Sequence, residues 1–200
     1  MLFHIIDIET TGLHRSADDI LEVGYIRCNQ DFRIVGHGTL YFYRPEYQIE
    51  NPGAQAVHKL TREFLRQYEK DFEVNLAALY ALVRDSIFVG KNSDAFDVPF
   101  LKEFIGKNIP ELYSTAKPSR TLDLQKVCAP RFREWYKDTY GSTTKRPGRL
   151  EEYVSMLGYT DGCVKDEFAK LFPEEAVRNH AHAALYDAFM TYLVFKHKEG

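Results

Sequence analysis

The sequence predicts an α/β fold: a mixed five-stranded sheet, three strands antiparallel and two parallel, flanked by helices. Three observations predict it. Apolar runs joined by short connections fill the first 45 residues, which makes an antiparallel meander of three strands the natural arrangement. A short apolar run, SIFVGKN at 86–92, then stands between two helical patterns, as buried parallel strands do. TLDLQKVC at 121–128 begins as a fifth strand and passes into another helix.

Taken in order, HIIDIE (4–9) is the first strand, and its apolar run reads as a central strand buried on both faces. DILEVGYIRCN (19–29) and HGTLYFYRP (37–45) are the second and third, the latter with Gly38 near its start and Pro45 at its end. ENPGAQAVHKLT (50–61) is a loop with one short helical turn, and Thr61 caps a helix beginning REFL. Between Phe72 and Arg84, residues Val74, Leu76, Ala77, Leu79, Tyr80 and Val83 recur at helical spacing. DVPFLKEFIGKN (97–108) is helical, and so is RLEEYVSMLGY (149–159), closed by Gly158. HAALYDAFMTYLVFKHK (182–198) is a long amphipathic helix whose terminal lysines suit its dipole.

Composition narrows the function. The 200 residues are 44% apolar and 14% aromatic, enough for one globular domain spanning 1–200. No stretch reaches the length of apolar sequence that a membrane helix needs, so no membrane partner is expected. Acids by position 7 and the lack of a basic, apolar leader argue against secretion. Cys28, Cys128 and Cys163 are odd in number and far apart, which fits free thiols in a reducing compartment, cytoplasmic, nucleoid or nuclear. A formal charge of −3 does not exclude a nucleic-acid partner, because charge can be local. Between Arg131 and Arg149, six basic residues face two acids and interleave with Trp135, Tyr136 and Tyr140. That segment suits a mobile strand-guiding loop; a solvated loop holding a partly buried Trp is the equal alternative.

The first strand carries the chemistry. Asp7 and Glu9 lie two positions apart and therefore point to one face, away from Ile6 and Ile8. Two like charges in a buried strand cost free energy unless something positive lies between them. Asp97 opens a helix directly after the buried strand at 86–92, where an acid is more often a cap. Asp187 lies in the last helix, five residues after His182; an acid there is usually on the solvated face, but its apolar neighbours Ala184, Leu185, Ala188 and Phe189 also allow an inward position.

Together D-I-E-T-T-G (7–12), N-S-D-A-F-D (92–97) and H-A-A-L-Y-D (182–187) resemble the three motifs of the DEDDh 3′–5′ exonucleases, the DnaQ-like branch of the ribonuclease-H-like superfamily. NPGAQAVHKLT, RTLDLQKV and RLEEYVSMLGY resemble further segments of that family. Lys91-Asn92 stands where the family often has His-Asn, and Asp97 follows Asn92 by five. The resemblance implies a ribonuclease-H-like sheet. It also implies two divalent cations, Mg2+ or Mn2+, ringed by the hard oxygen ligands of Asp7, Glu9, Asp97 and Asp187. Asp7 would bridge both ions, Glu9 and Asp187 would complete the nucleophile-side site, and Asp97 would hold the other through water. His182 fits the pattern of the general base; His180 is the lesser candidate, and a zinc site built on HAH is weaker still.

For the substrate, backbone amides around Thr10, Thr11 and Gly12 are candidates to meet a terminal 3′ hydroxyl. The resemblance puts Val57, His58 and Phe96 around the terminal base, with Asn92 and Leu13 beside them. For Phe96, Leu13 and Val57 a core role is at least as good a reading. The expected activity is release of nucleoside 5′-monophosphates from DNA 3′ ends, single-stranded DNA favoured. An exoribonuclease or oligoribonuclease is the alternative, and a non-catalytic nucleic-acid-binding module is disfavoured by the intact acidic set. A free-standing enzyme is expected, with only weak association to replication or repair proteins.

Overall fold

The computed structural model describes residues 1–178, 180 and 182–199. Its sheet contains β1 (Leu2–Thr10), β2 (Ile20–Asn29), β3 (Ile34–Tyr41), β4 (Ile87–Gly90) and β5 (Arg120–Asp123), in the spatial order β3-β2-β1-β4-β5. The first three pair antiparallel, and β4 and β5 join parallel to β1. The expected sheet is therefore found, with β1 at its centre. The third strand begins three residues earlier than the sequence suggested. Its pairing with β2 ends beyond Tyr41, after one last bond from the Phe42 amide to the Leu21 carbonyl at 2.9 Å. Phe42 and Tyr43 then turn into the core instead of extending the strand.

Helices α1 (Pro52–His58), α2 (Arg62–Arg66), α3 (Phe72–Val83) and α4 (Asp97–Asn108) follow the meander. The expected cap is in place: the Thr61 hydroxyl accepts from the Phe64 amide at 3.2 Å. Beyond β5 come α5 (Leu124–Val127), α6 (Ala129–Tyr140), α7 (Leu150–Met156), α8 (Asp161–Leu171), a 3-10 turn at Pro173–Arg178 and α9 (Ala184–Glu199). Two of these correct the sequence reading. The basic segment beginning at Arg131 is mostly helix rather than loop, because Phe132, Trp135 and Tyr136 fall on one helical face and pack inward. The unassigned stretch after Gly158 forms α8, started by the Thr160 hydroxyl accepting from the Cys163 amide.

Alternation along β1 divides the core. Ile6 and Ile8 join Val23, Phe42, Phe100 and Phe104 beneath α3 and α4. Ile5, Ile26 and Val89 face Leu185, Phe189 and Leu193 of α9. Antiparallel partners opposite one another share a face, so Asp7, paired with Gly24, and Glu9, paired with Glu22, all lie on the α9 side.

Gly24 fixes how close α9 can come. A side chain there would run into the backbone of Ala184 and Leu185, the first turn of α9. The bare glycine lets that turn rest on β2 directly across from Asp7. Replacing Gly24 with Ala is expected to destabilise the protein by about 1–3 kcal/mol, as overpacking typically does, and to push Asp187 outward. Urea unfolding checks the first effect. A variant as stable as the parent would show that the helix does not depend on this contact.

Candidate active site

β1 runs on past the end of β4, whose pairing stops at Ile5 opposite Val89. The last residues of β1 thus offer an unpaired edge to the segment that follows β4. Asp97 sits at it, and the Ile8 amide and its own amide favour the charged form of its carboxylate. That segment is itself folded by Asp123 at the end of β5, which accepts from the amides of Asn92 at 2.9 Å, Asp94 at 3.3 Å and Gln125 at 3.0 Å. Asn92 adopts a left-handed backbone, φ 63°, a conformation asparagine tolerates better than most residues. From the opposite side, α9 delivers Asp187 in its first turn. The sequence-distant acids therefore meet at the carboxyl ends of β1 and β4, where open α/β sheets form their crevices.

The crevice is a cavity of about 620 Å³. Asp7, Glu9, Asp97, Asp187 and His182 all line it, together with Thr10, Gly12, Leu13, Val57, His58, Asn92 and Phe96. Ligand atoms of Glu9, His182 and Asp187 lie within 4.8 Å of one another, close enough to share a metal ion. The His182 amide donates to both Asp187 oxygens at 3.3 Å, and Nδ1 stands 3.9 Å from Oδ2. His182 is left-handed, φ 66°, and its ring is exposed at the rim. His180 is partly buried and is not among the described lining residues.

The other candidates divide. Thr11 is not in the lining: its amide donates to the Asp19 carbonyl at 2.9 Å, and its hydroxyl is engaged with Asp18 and the Asp19 amide. Leu13 is 80% and Val57 41% exposed, so neither is a core residue. Phe96 is partly buried and does both, packing against the core while walling the cavity. His58 is buried. Its Nδ1 accepts from the Leu60 amide at 2.9 Å, which leaves the proton on Nε2, and Nε2 has no partner among the described residues. Burial, reinforced by the charge of Arg178, pushes this imidazole down to about 4, so it is neutral.

The acids strain against one another. Burial and then the Asp187 carboxylate raise Asp7 well above the usual carboxylate range. Burial, followed by Asp187, pushes Glu9 up to about 9. Burial likewise raises Asp187 to about 8 and Asp97 to about 7, the amide of His182 and the near amides opposing it. Such a set of hard oxygen donors with surplus negative charge fits divalent cations.

Two residues that sequence reading missed hold the site in place. Glu22, fully buried, accepts from Arg178 Nη2 at 2.9 Å, and the Ala184 amide at the start of α9 and the Tyr41 hydroxyl favour its charged form. Arg178 lies over the Tyr41 and Phe64 rings at 5.7 and 5.5 Å. Nothing near Glu22 in sequence announces its partner 156 positions away. Its only signal was a charged residue inside the apolar run ILEVG.

Comparison with known proteins identifies the family and supports the fold. Residues 4–145 match the model of the RNase_T family, described as exonuclease. The 3′–5′ exonuclease DinG of Staphylococcus aureus (strain USA300) is 28% identical over 175 residues, 84% of this chain and 19% of that protein. This chain therefore spans about a fifth of the curated relatives it matches. Among solved structures, E. coli exonuclease I with a dT13 oligonucleotide superposes with a TM-score of 0.63 at 21% identity, covering 98% of this chain and 40% of that one. The complex of exonuclease I with SSB-Ct gives 0.65 at 20% identity over the same shares. Both likenesses support the α/β fold.

The buried ion pair makes a prediction. Arg178→Met leaves Glu22 uncompensated and is expected to cost about 3–5 kcal/mol. Adding Glu22→Gln should recover most of that loss in denaturant unfolding. A double variant no more stable than the single one would show that the uncompensated charge is not what destabilises it.

Proposed function

The chain belongs to the RNase_T exonuclease family, and from that premise we propose that it is a 3′–5′ exonuclease, residues 1–200 forming one exonuclease domain. It hydrolyses DNA from the 3′ end and releases nucleoside 5′-monophosphates. The observation that carries this reading is the convergence of Asp7, Glu9, Asp97 and Asp187, from three separate segments, with His182 at the rim of the same cavity. The DinG relatives are named as 3′–5′ exonucleases, and exonuclease I, which shares the fold, is known bound to dT13. Both favour DNA.

In this reading the four carboxylates hold two divalent cations, Mg2+ or Mn2+. Bound there, such ions supply an acidified water and charge stabilisation for the departing oxygen. The protein's own groups do the rest. His182, with a side chain on the rim, takes the proton of the attacking water. Asp187 accepts from the His182 amide and so keeps the ring beside the acids. Leu13, Val57 and Phe96 form apolar walls that grip the terminal base without reading its identity. The His58 Nε2–H is a fixed donor for the same nucleotide, and Thr10, Gly12 and Asn92 border it.

Three free cysteines fit a reducing compartment, the cytoplasm, nucleoid or nucleus. Among the described residues no helix is long and apolar enough to cross a membrane.

Digestion of 5′-labelled DNA and RNA of equal sequence, with Mg2+ or with EDTA, tests the proposal. A Mg2+-dependent ladder shortening from the 3′ end of DNA is expected; a ladder from RNA alone would move the substrate to the ribonuclease reading. Asp187→Asn should abolish cleavage, while His182→Ala should lower kcat about 10²–10⁴-fold with KM little changed. A His182→Ala variant at parental kcat would remove His182 from the chemistry.

Stability against pH is a separate check. The metal-free native state holds protons on Glu9, Asp97 and Asp187 up to about 9, 7 and 8, whereas the unfolded chain releases them near the ordinary carboxylate value of about 4. The native state thus binds more protons across that window, so stability is fully present below it and falls as pH rises. The Tm without metal should drop between about pH 5 and pH 9, and saturating Mg2+ should flatten the slope. A metal-free Tm that rises over this range would contradict the charge distribution described here.

A further inference from the structure

A second concavity of about 290 Å³ adjoins the first and shares Leu13, His14 and Phe96 with it. Beyond that shared rim it is lined by Arg15, Ser16, Ala95 and Phe100. Arg15 and His14 are exposed, and among the described residues Arg15 forms no ion pair. Hydrogen bonding to Glu103 raises the nearby Tyr113 phenol, and the charge of Arg15 opposes the effect. Lys102 sits over the same Tyr113 ring at 4.3 Å. The acids in this region already have donors. Asp18 accepts from the His14 amide at 2.7 Å, and Glu103 accepts from the Tyr113 hydroxyl at 2.9 Å.

We propose that this strip, from Leu13 and Phe96 over Arg15 to Lys102 and Tyr113, binds the nucleotides upstream of the one being removed. The inference rests on the exonuclease reading and adds to it the path of the strand. A strand whose 3′ end sits among the acids must leave the cavity by an opening wide enough for the next nucleotide. The second concavity is continuous with the first and begins at an exposed apolar residue. Aromatic faces beside cations are what an upstream single strand uses, the rings for bases and the cations for phosphates. The basic helix α6 is the competing path. Its Arg133 and Lys137 are exposed, whereas its aromatic residues Phe132, Trp135 and Tyr136 pack on the core and its exposed Tyr140 is engaged with the Trp135 and Tyr136 rings.

Two substrates separate the terminal site from the strip. The p-nitrophenyl ester of thymidine 5′-monophosphate fills only the terminal site, and dT10 extends beyond it. Arg15→Ala/Lys102→Ala should hydrolyse the ester as the parent does and lose about tenfold in kcat/KM on dT10. Binding of 5′-fluorescent dT10 in EDTA should become less salt-dependent, the slope of log K against log[salt] falling by roughly 0.7 per cation removed. Arg15→Lys should retain the slope, while Arg133→Ala/Lys137→Ala should leave both measurements unchanged. The strip is wrong if the Arg15/Lys102 variant binds and degrades dT10 as the parent does, or if the α6 variant takes the loss instead. A parent inert on both substrates would overturn the exonuclease reading, and the salt slope would still judge the strip.

Discussion

The first turn of α9 can rest on the sheet because residue 24 has no side chain and residue 22 has a carboxylate. Gly24 removes the obstacle, and the buried Glu22 carboxylate is favoured in its charged form by the Ala184 amide, one of the helix-end donors left without a partner inside the helix. Negative charge at that end also suits the helix dipole. Once the turn is seated, Asp187 and His182 have little freedom. Asp187 is carried by the helix itself, and its carboxylate draws the His182 amide towards it. Arg178 ties the preceding 3-10 turn to Glu22 and to two aromatic rings. The end of the chain that carries the third acidic motif is thereby locked to the strand that neighbours the first.

This seating brings like charges together, which is costly. Asp187, Asp97 and Glu9 each raise the cost of ionising Asp7, Asp187 and Asp97 raise it for Glu9, and burial raises it for all four. The protein compensates only in part. Amides support Asp97 and Asp187 directly, and the charges of Lys91 and Arg178 act on the acids nearby. Glu22 is the contrasting case: it faces the same crowd and is raised to about 7 by burial, but it has Arg178 as a direct partner. Four carboxylates left without such a partner, with His182 at their rim, are arranged for an external positive charge rather than for structural pairing.

How far the sequence could be read follows from how local each feature is. Asp7 and Glu9 could be assigned to one face because a strand's period of two settles it. Asp97 and His182–Asp187 stood out through motif spacing. The sheet was legible because apolar runs and connection lengths allow few topologies. Glu22 was not, because its role depends on Arg178 and Ala184, which approach only after α9 has packed. Thr11 misled for a similar reason: its amide is consumed by a turn closed eight residues away, at Asp19. α6 was legible: Phe132, Trp135 and Tyr136 follow helical spacing, and Phe132 stacks on Tyr153 at 4.8 Å, although the basic residues between them resemble a solvated loop. In α8, Val164, Phe168 and Phe172 repeat every four residues behind a capping Thr160, a pattern that was readable.

A polyanionic strand entering this cleft meets a problem of charge. The deepest residues are acids, and any of them that is ionised repels a phosphate brought near it. Cations bound at the acids would invert that local field, so metal affinity and affinity for the strand's end should be coupled, each favouring the other. Upstream phosphates lie too far from the acids to benefit, because exposed charges more than about 10 Å apart are screened at ordinary salt. They need cations of their own, carried by the protein surface. A chain of net charge −3 can meet both needs by segregation: acids sunk in the crevice where metals would neutralise them, and Arg15 and Lys102 outside it. The composition alone, averaged over both regions, conceals that division.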